Sequence, residues 1–424
     1  MSTAAVVGIN WGDEGKGRIV DLLTEEYDVV VRYQGGGNAG HTIVNSMGTF
    51  ALHLLPSGIF RPGVVNVLGN GVALDPENLL REIEDVRSRG VKLTPENLMI
   101  SDRASLLLPY HRDLDSLEEA RLKDKKYGST KQGIAPFYSD KYQKKTVMAG
   151  ELFDEEKLME RFETILEWKN LTLNGVYGAE RFTADDLKAW LKTYAEPLKP
   201  FICDTGKFLR ASEKAGKSIL FEAQLGALRD LDFGIYPYTT SSNTLASYAP
   251  VGSGLTTSHV GRVIGVVKAY STCVGEGPFT SEMFGQEAEA LRKAGAEYGA
   301  KTGRPRRVGA IDLVATRYGV ELQGATEIAL TKLDVLSYLA EIPVCTAYAI
   351  DGETVTDFPL TYRLDDAKPV LKTFPGWQCD VSSIRVFEDL PREARDYVEA
   401  IEDAIGCRIS MVSVGPERDS IILR

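Results

Sequence analysis

The chain has 424 residues, of which 43% are hydrophobic and 26% charged, and carries a formal net charge of −11. That composition supplies a large apolar core and excludes a disordered chain, and the acidic balance disfavours polynucleotide or anionic-membrane partners except through a local basic cluster. Five scattered cysteines without a C-x-x-C pair, no basic leader before the first apolar run, and no run near the ~20 apolar residues that span a bilayer point to a soluble, cytoplasmic protein.

Residues 4–9 predict a strand, residues 17–23 the start of a helix, and residues 27–33, with their VVV run, a second strand. The alternation continues through VVNVLGNGV, the helical ENLLREIEDVRSRG, and the later SILFEA, GRVIGVVKAY and IPVCTAYAI. Strands alternating with helices predict an α/β fold, a mostly parallel central sheet flanked by helices. Residues 114–126 and 154–215 read as amphipathic helical excursions, with few strand signals in the second. The end of the chain reads as helix, strand and loop. No linker composition interrupts it, so residues 1–424 are expected to form one unit, with 110–215 as mainly helical insertions.

Between the first strand and helix lies Gly12-Asp13-Glu14-Gly15-Lys16-Gly17-Arg18. Glycines let backbone N–H groups converge on an anion, a helix start adds its dipole, and Lys16 adds a charge, so the loop is suited to phosphate. It departs from G-x-x-x-x-G-K-[ST], because no Ser or Thr follows the lysine. A magnesium ligand is therefore sought elsewhere, and Asp13 offers a hard oxygen within the loop. Next comes Gln34-Gly35-Gly36-Gly37-Asn38-Ala39-Gly40-His41-Thr42, where four glycines permit close ligand approach and a carbonyl for magnesium. Most lone histidines are structural, but His41 ends a glycine loop and is an acid–base candidate. Later, Lys301-Thr302-Gly303-Arg304-Pro305-Arg306-Arg307 makes a basic fork suited to carboxylate or phosphate. In Thr331-Lys332-Leu333-Asp334, a carboxylate can accept from guanine N1 and N2 while a lysine stem covers the ring.

WGDEGKG, GGGNAGHT, LGNGVALDP, YPYTTSSN, TGRPRRVG, TKLDVL, FPGW and SVGP occur here in the order and approximate spacing of adenylosuccinate synthetases. The chain resembles that family over about residues 4–424. The resemblance implies a P-loop-like GTP-binding core and GTP-dependent ligation of L-aspartate to IMP, giving adenylosuccinate, GDP and phosphate through 6-phosphoryl-IMP. It implies that Asp13 removes the N1 proton, that His41 acts as general acid, and that Lys16 assists. Gly12, Asp13, Glu14, Gly15, Lys16, Gly17, Arg18, Gly40, His41, Thr42, Arg306, Lys332, Leu333, Asp334, Ser413, Val414 and Gly415 match the GTP site. Asp13, Lys16, Asn38, Ala39, Gly40, His41, Thr130, Lys144, Gln224, Leu225, Thr240 and Arg304 match the IMP site, part of it in the helical insertions. Lys301, Thr302, Gly303, Arg304 and Arg306 match the aspartate site, and Asp13 with the Gly40 carbonyl matches the Mg2+ ligands. The family forms homodimers, and Lys144 stands where a basic residue reaches the neighbouring subunit's nucleotide.

Two segments depart from the family pattern. Thr130-Lys131-Gln132-Gly133-Ile134-Ala135-Pro136 replaces T-G-R-G-I-G-P, with Lys144 and Met148 at arginine positions. Phe221-Glu222-Ala223-Gln224-Leu225-Gly226 replaces F-E-G-A-Q-G, which sets Leu225 at the glutamine that contacts IMP and Gln224 one place earlier. These changes lie on the IMP side. The alternatives are a synthetase for another 6-oxopurine nucleotide, GMP or dGMP, and a catalytically silent GTP-binding regulator. Asp13 weighs against the first, since relatives of that kind lack it, and retention of both Asp13 and His41 weighs against the second.

Overall fold

A computed structural model describes residues 3–45, 47–299, 303 and 305–424. A ten-stranded sheet organises them. Its order, written by strands, is Ile421–Leu423, Ile409–Ser413, Glu327–Thr331, Arg262–Lys268, Thr3–Gly8, Ile219–Glu222, Val29–Arg32, Val65–Leu68, Leu98–Ser101 and Ile202–Cys203. Every neighbouring pair is parallel except the last hairpin, where Met411 lies opposite Leu423. Thr3–Gly8, Val29–Arg32 and Ile219–Glu222 are buried at every position, the burial expected of parallel strands covered on both faces.

Strand Thr3–Gly8 lies mid-sheet, with Ala5 registered against Phe221 on one side and Val263 on the other. The chain builds the sheet first on the Ile219–Glu222 side, then crosses to Arg262–Lys268 and extends the other way. This reversal opens a crevice at the carboxyl ends of the central strands, where open α/β sheets bind ligands. Gly8, Arg32, Glu222, Lys268, Thr331 and Ser413 end their strands on that edge.

The alternation reading holds with two differences. The IPVCTAYAI run forms Glu341–Ile350, but this strand belongs to a separate four-stranded sheet with Ile311–Asp312, Glu353–Val355 and Lys368–Pro375. An apolar run fixes strand character but not which sheet receives it. Residues 109–214 contain the helices Pro109–Leu122, Ile134–Tyr142, Glu155–Tyr177, Ala184–Tyr194 and Thr205–Lys214, yet Ile202–Cys203 supplies an edge strand to the main sheet. Two residues are too short to leave a periodic signal. Helix Glu155–Tyr177 buries Leu158, Phe162, Ile165, Leu166 and Leu173, the 3.6-period stripe that docks the insertion on the apolar cluster containing Leu79 and Ile100.

Candidate active site

The strand Thr3–Gly8 delivers a loop with left-handed backbone at Gly12 (φ 98°), Asp13 (φ 61°) and Gly15 (φ 96°), and helix Lys16–Leu23 follows. Gly15 brings no side-chain cap, so the helix start presents N–H groups and its positive dipole end to an anion. Buried Glu14 braces the loop from within. Its carboxylate accepts from the Gly12 amide at 2.8 Å, the Asn10 amide at 3.2 Å and Lys16 Nζ at 2.6 Å. Thr331 Oγ1 donates to the Glu14 carbonyl at 2.7 Å, which ties the loop to strand Glu327–Thr331. Arg18 donates to Ser413 Oγ at 2.7 Å and to the Gly415 and Glu417 carbonyls, bringing the 413–415 turn beside the helix start. Lys332 and Asp334 follow strand Glu327–Thr331 on the same edge, and burial raises the Asp334 pKa.

His41 opens the hairpin His41–Asn45/Gly48–Leu52 and packs against the first turn of helix Lys16–Leu23. Its Nδ1 faces Arg32 Nη1 at 3.4 Å and its Nε2 faces Ser57 Oγ at 3.0 Å. Fully buried Glu222 accepts from both the Ser57 hydroxyl and the Ser57 amide at 2.8 Å. Burial, reinforced by the Arg32 guanidinium, holds the imidazole well below its ordinary value. The ring is neutral near pH 7. With Arg32 donating to Nδ1, the network assigns the proton to Nε2, which donates toward Ser57. A neutral imidazole is a hydrogen-bond donor and becomes an acid only after an arriving anion raises its pKa. In the free protein, the His41 NMR signal should therefore not titrate near the ordinary imidazole value of about 6.5, and a bound nucleoside triphosphate analogue should move its pKa upward. An ordinary titration in the free protein would contradict the neutral assignment. The sign for stability follows. The unfolded chain takes up this proton more readily, so the group favours unfolding as pH falls below about 6.5.

Arg306 joins the phosphate loop to the basic segment. Its Nε lies 3.1 Å from Asp13 Oδ2 as an ion pair off hydrogen-bond alignment, and its Nη1 donates to Glu297 Oε2 at 2.7 Å. Arg307, the last arginine of the predicted fork, turns away to Glu282 and the Gly277 carbonyl, so the fork is narrower than the sequence suggests. Lys301, Thr302 and Arg304 lie outside the described residues, while Gly303 is exposed.

On the second glycine loop, Asn38 and Ala39 are half-buried and Gly40 is exposed. Gln224, expected at the nucleotide, is bonded to the second glycine loop. Its Oε1 accepts from the Gly36 amide at 2.9 Å, and its Nε2 donates to the Gly36 and Ala39 carbonyls at 2.6 and 2.7 Å. The amide is thereby committed to shaping the loop. Half-buried Leu225, at φ 63°, packs against Gly12 instead. Asn38 Oδ1 and Thr240 Oγ1 are enclosed without a protein partner, as expected of groups that await a polar ligand. Asp115 accepts from Ser129 Oγ at 2.6 Å and the Gly133 amide at 2.8 Å, holding the turn that carries exposed Thr130. Lys144 is also exposed. Sequence reasoning missed Arg32, Ser57, Glu222, Lys268 and Glu297, because no local pattern marks them.

Amides converging at the switch point, with a carboxylate entering the crevice from the same loop, place the chain among nucleotide-dependent phosphoryl-transfer enzymes built on a parallel sheet. The family model of adenylosuccinate synthetase matches residues 5–422. The chain is 46% identical over 426 residues to the adenylosuccinate synthetase of Caldanaerobacter subterraneus subsp. tengcongensis, and 48% identical to adenylosuccinate synthetase 2 of Pseudoalteromonas translucida, with 100% of each chain covered in both. It is similar to the structure of fully ligated adenylosuccinate synthetase from Plasmodium falciparum, with a TM-score of 0.93, 35% identity and 100% of both chains covered. A cyanophage S-2L succinoaminodeoxyadenylate synthetase shares the fold at a TM-score of 0.64 and 19% identity, with 100% of this chain and 95% of that one covered. The chain belongs to the adenylosuccinate synthetase family. It is a GTP-dependent ligase that joins L-aspartate to IMP in AMP biosynthesis.

Proposed function

We propose that Asp13 removes the N1 proton of IMP, so that O6 attacks the γ-phosphate of GTP held over the loop from Gly12 to Arg18. The aspartate amine then displaces phosphate at C6. The observation that carries this reading is the division of labour between two adjacent carboxylates. Glu14 binds the loop's own amides, whereas Asp13 reaches the crevice and meets Arg306. Lys16 neutralises phosphate charge on leaving Glu14, and His41 turns its Nε2 proton from Ser57 to the transferring group. Lys332 and Asp334 take the guanine, with Leu333 between them, and Ser413, Val414 and Gly415 close that side. Arg306 meets the aspartate carboxylate. Asn38, Thr130 and Thr240 hold IMP, with Thr130 contributed by the helical insertions, and the unpartnered oxygens of Asn38 and Thr240 support this.

An Asp13 oxygen and the exposed Gly40 carbonyl suit Mg2+, a hard cation that keeps few protein ligands and shares phosphate oxygens. When bound, it neutralises charge on the phosphates. We further propose a cytoplasmic homodimer in which Lys144 reaches the partner's IMP phosphate. The exposure of Lys144 on a left-handed turn supports this. Sedimentation at micromolar concentration with nucleotide present should give a dimer, and a monomer would remove the shared-site reading.

A panel of nucleotides with GTP, Mg2+ and aspartate tests substrate choice. Asp13 accepting from N1 leaves the extra 2-amino group of a guanylate short of a partner, so IMP should be used about tenfold or more better than GMP or dGMP. A dominant 2-amino product would overturn the choice of base.

A further inference from the structure

Glu297 is fully buried, and four donors from three separate segments converge on its carboxylate. Oε1 accepts from Lys268 Nζ at 2.9 Å, Tyr270 Oη at 2.5 Å and Lys332 Nζ at 2.7 Å, and Oε2 accepts from Arg306 Nη1 at 2.7 Å. The Arg306 amide also donates to the Glu297 carbonyl at 2.9 Å, so backbone and side chain both join the two residues. Burial alone pushes the Glu297 carboxyl up, but Lys268 and Lys332 hold it well below the usual range. Burial pulls Lys268 down to about 8. Three cations thus depend on one carboxylate, and Arg306 extends the chain of charge to Asp13.

We propose that Glu297 is a positioning residue that couples the guanine side of the site to the aspartate side by holding Lys332 and Arg306 on one carboxylate. Ordering of Lys332 by GTP fixes Glu297, and Glu297 fixes Arg306. By reciprocity, aspartate tightens GTP to the same degree. The inference rests on the roles given above to Lys332 and Arg306. Lys268 and Tyr270 touch neither substrate in this scheme and serve as a fixed platform beneath Glu297.

Steady-state kinetics of Glu297→Gln tests this. KM for aspartate and KM for GTP should rise together by about fivefold or more, with KM for IMP unchanged within about twofold. The aspartate KM should lose its dependence on GTP concentration, and Glu297→Asp, which keeps the charge, should recover part of it. If the glutamine variant fails to fold because its cations are left unpaired, Tyr270→Phe removes a neutral donor and keeps the charge balance. It should raise the same two KM values by about two- to fivefold. A fall in thermal midpoint with unchanged KM values, a change in one KM alone, or an equal change in all three would overturn the coupling. Wild-type protein runs in the same assay. If it forms no product from IMP, GTP and aspartate, the substrate assignment fails, whereas normal wild-type turnover with uncoupled variants defeats only the role of Glu297.

Discussion

Asp13→Asn is expected to lower kcat by about 10³-fold or more while leaving a folded protein. Asparagine keeps the shape of aspartate and tolerates the left-handed backbone at φ 61°, so the phosphate loop retains its path. The loop's amides remain bonded to Glu14, which the substitution does not touch. On the proposed mechanism, what disappears is the base for the N1 proton and the anionic oxygen offered to magnesium. General base catalysis contributes about 10²–10⁴-fold, and a second role at the same atom adds to that loss. The Asp13–Arg306 ion pair is partly exposed, and its removal should cost about 1 kcal/mol or less of stability. Product formation and a denaturation midpoint, measured on one preparation, separate the two effects. Turnover within tenfold of wild type would remove Asp13 from proton transfer.

Gly17→Ala should lower kcat by about 10²-fold although it changes no reacting group. A Cβ at Gly17 would lie 2.5 Å from His41 Cδ2, 2.9 Å from Cγ and 3.0 Å from Cβ. The imidazole is held at both ring nitrogens and through its backbone. Arg32 and Ser57 hold its two nitrogens, and the His41 backbone is paired with Leu52 across the hairpin. The new methyl therefore displaces the ring that, on the proposed mechanism, meets the transferring phosphoryl group. Stability should respond much less than activity. Alanine favours a helix over glycine by about 1 kcal/mol, which partly offsets an overpacking cost of about 1–3 kcal/mol. A kcat within threefold of wild type, or a loss of activity matched by loss of folded protein, would contradict the steric account.

The features legible in the sequence share a short range. A glycine between an apolar run and a helix pattern marks a phosphate loop because the backbone conformation and the helix start are local properties, and Gly12, Gly15 and Lys16 stand where that reading puts them. The resemblance adds substrate identity because it compares the whole ordered set of motifs, and the family match confirms it. Local reading weakened where a residue's partner lay far along the chain. Gln224 looked available for IMP, but its amide meets Gly36 and Ala39, more than 180 residues away. Arg307 looked like part of a basic fork, but Glu282 claims it.

By itself, the sequence determined the α/β class, the two glycine loops and the family. Each depends on backbone freedom, hydrophobic period or motif order over a few residues at a time. Tertiary structure alone decided the protonation state of His41, the pairing of Arg306 with both Asp13 and Glu297, and the convergence of Lys268, Tyr270 and Lys332 on one carboxylate. The physical reason is that pKa and ion pairing depend on burial and on which charges the sheet brings within a few ångströms. Arg32 and Glu222 are 190 residues apart in the chain but occupy paired positions on adjacent strands, and that register sets the environment of His41.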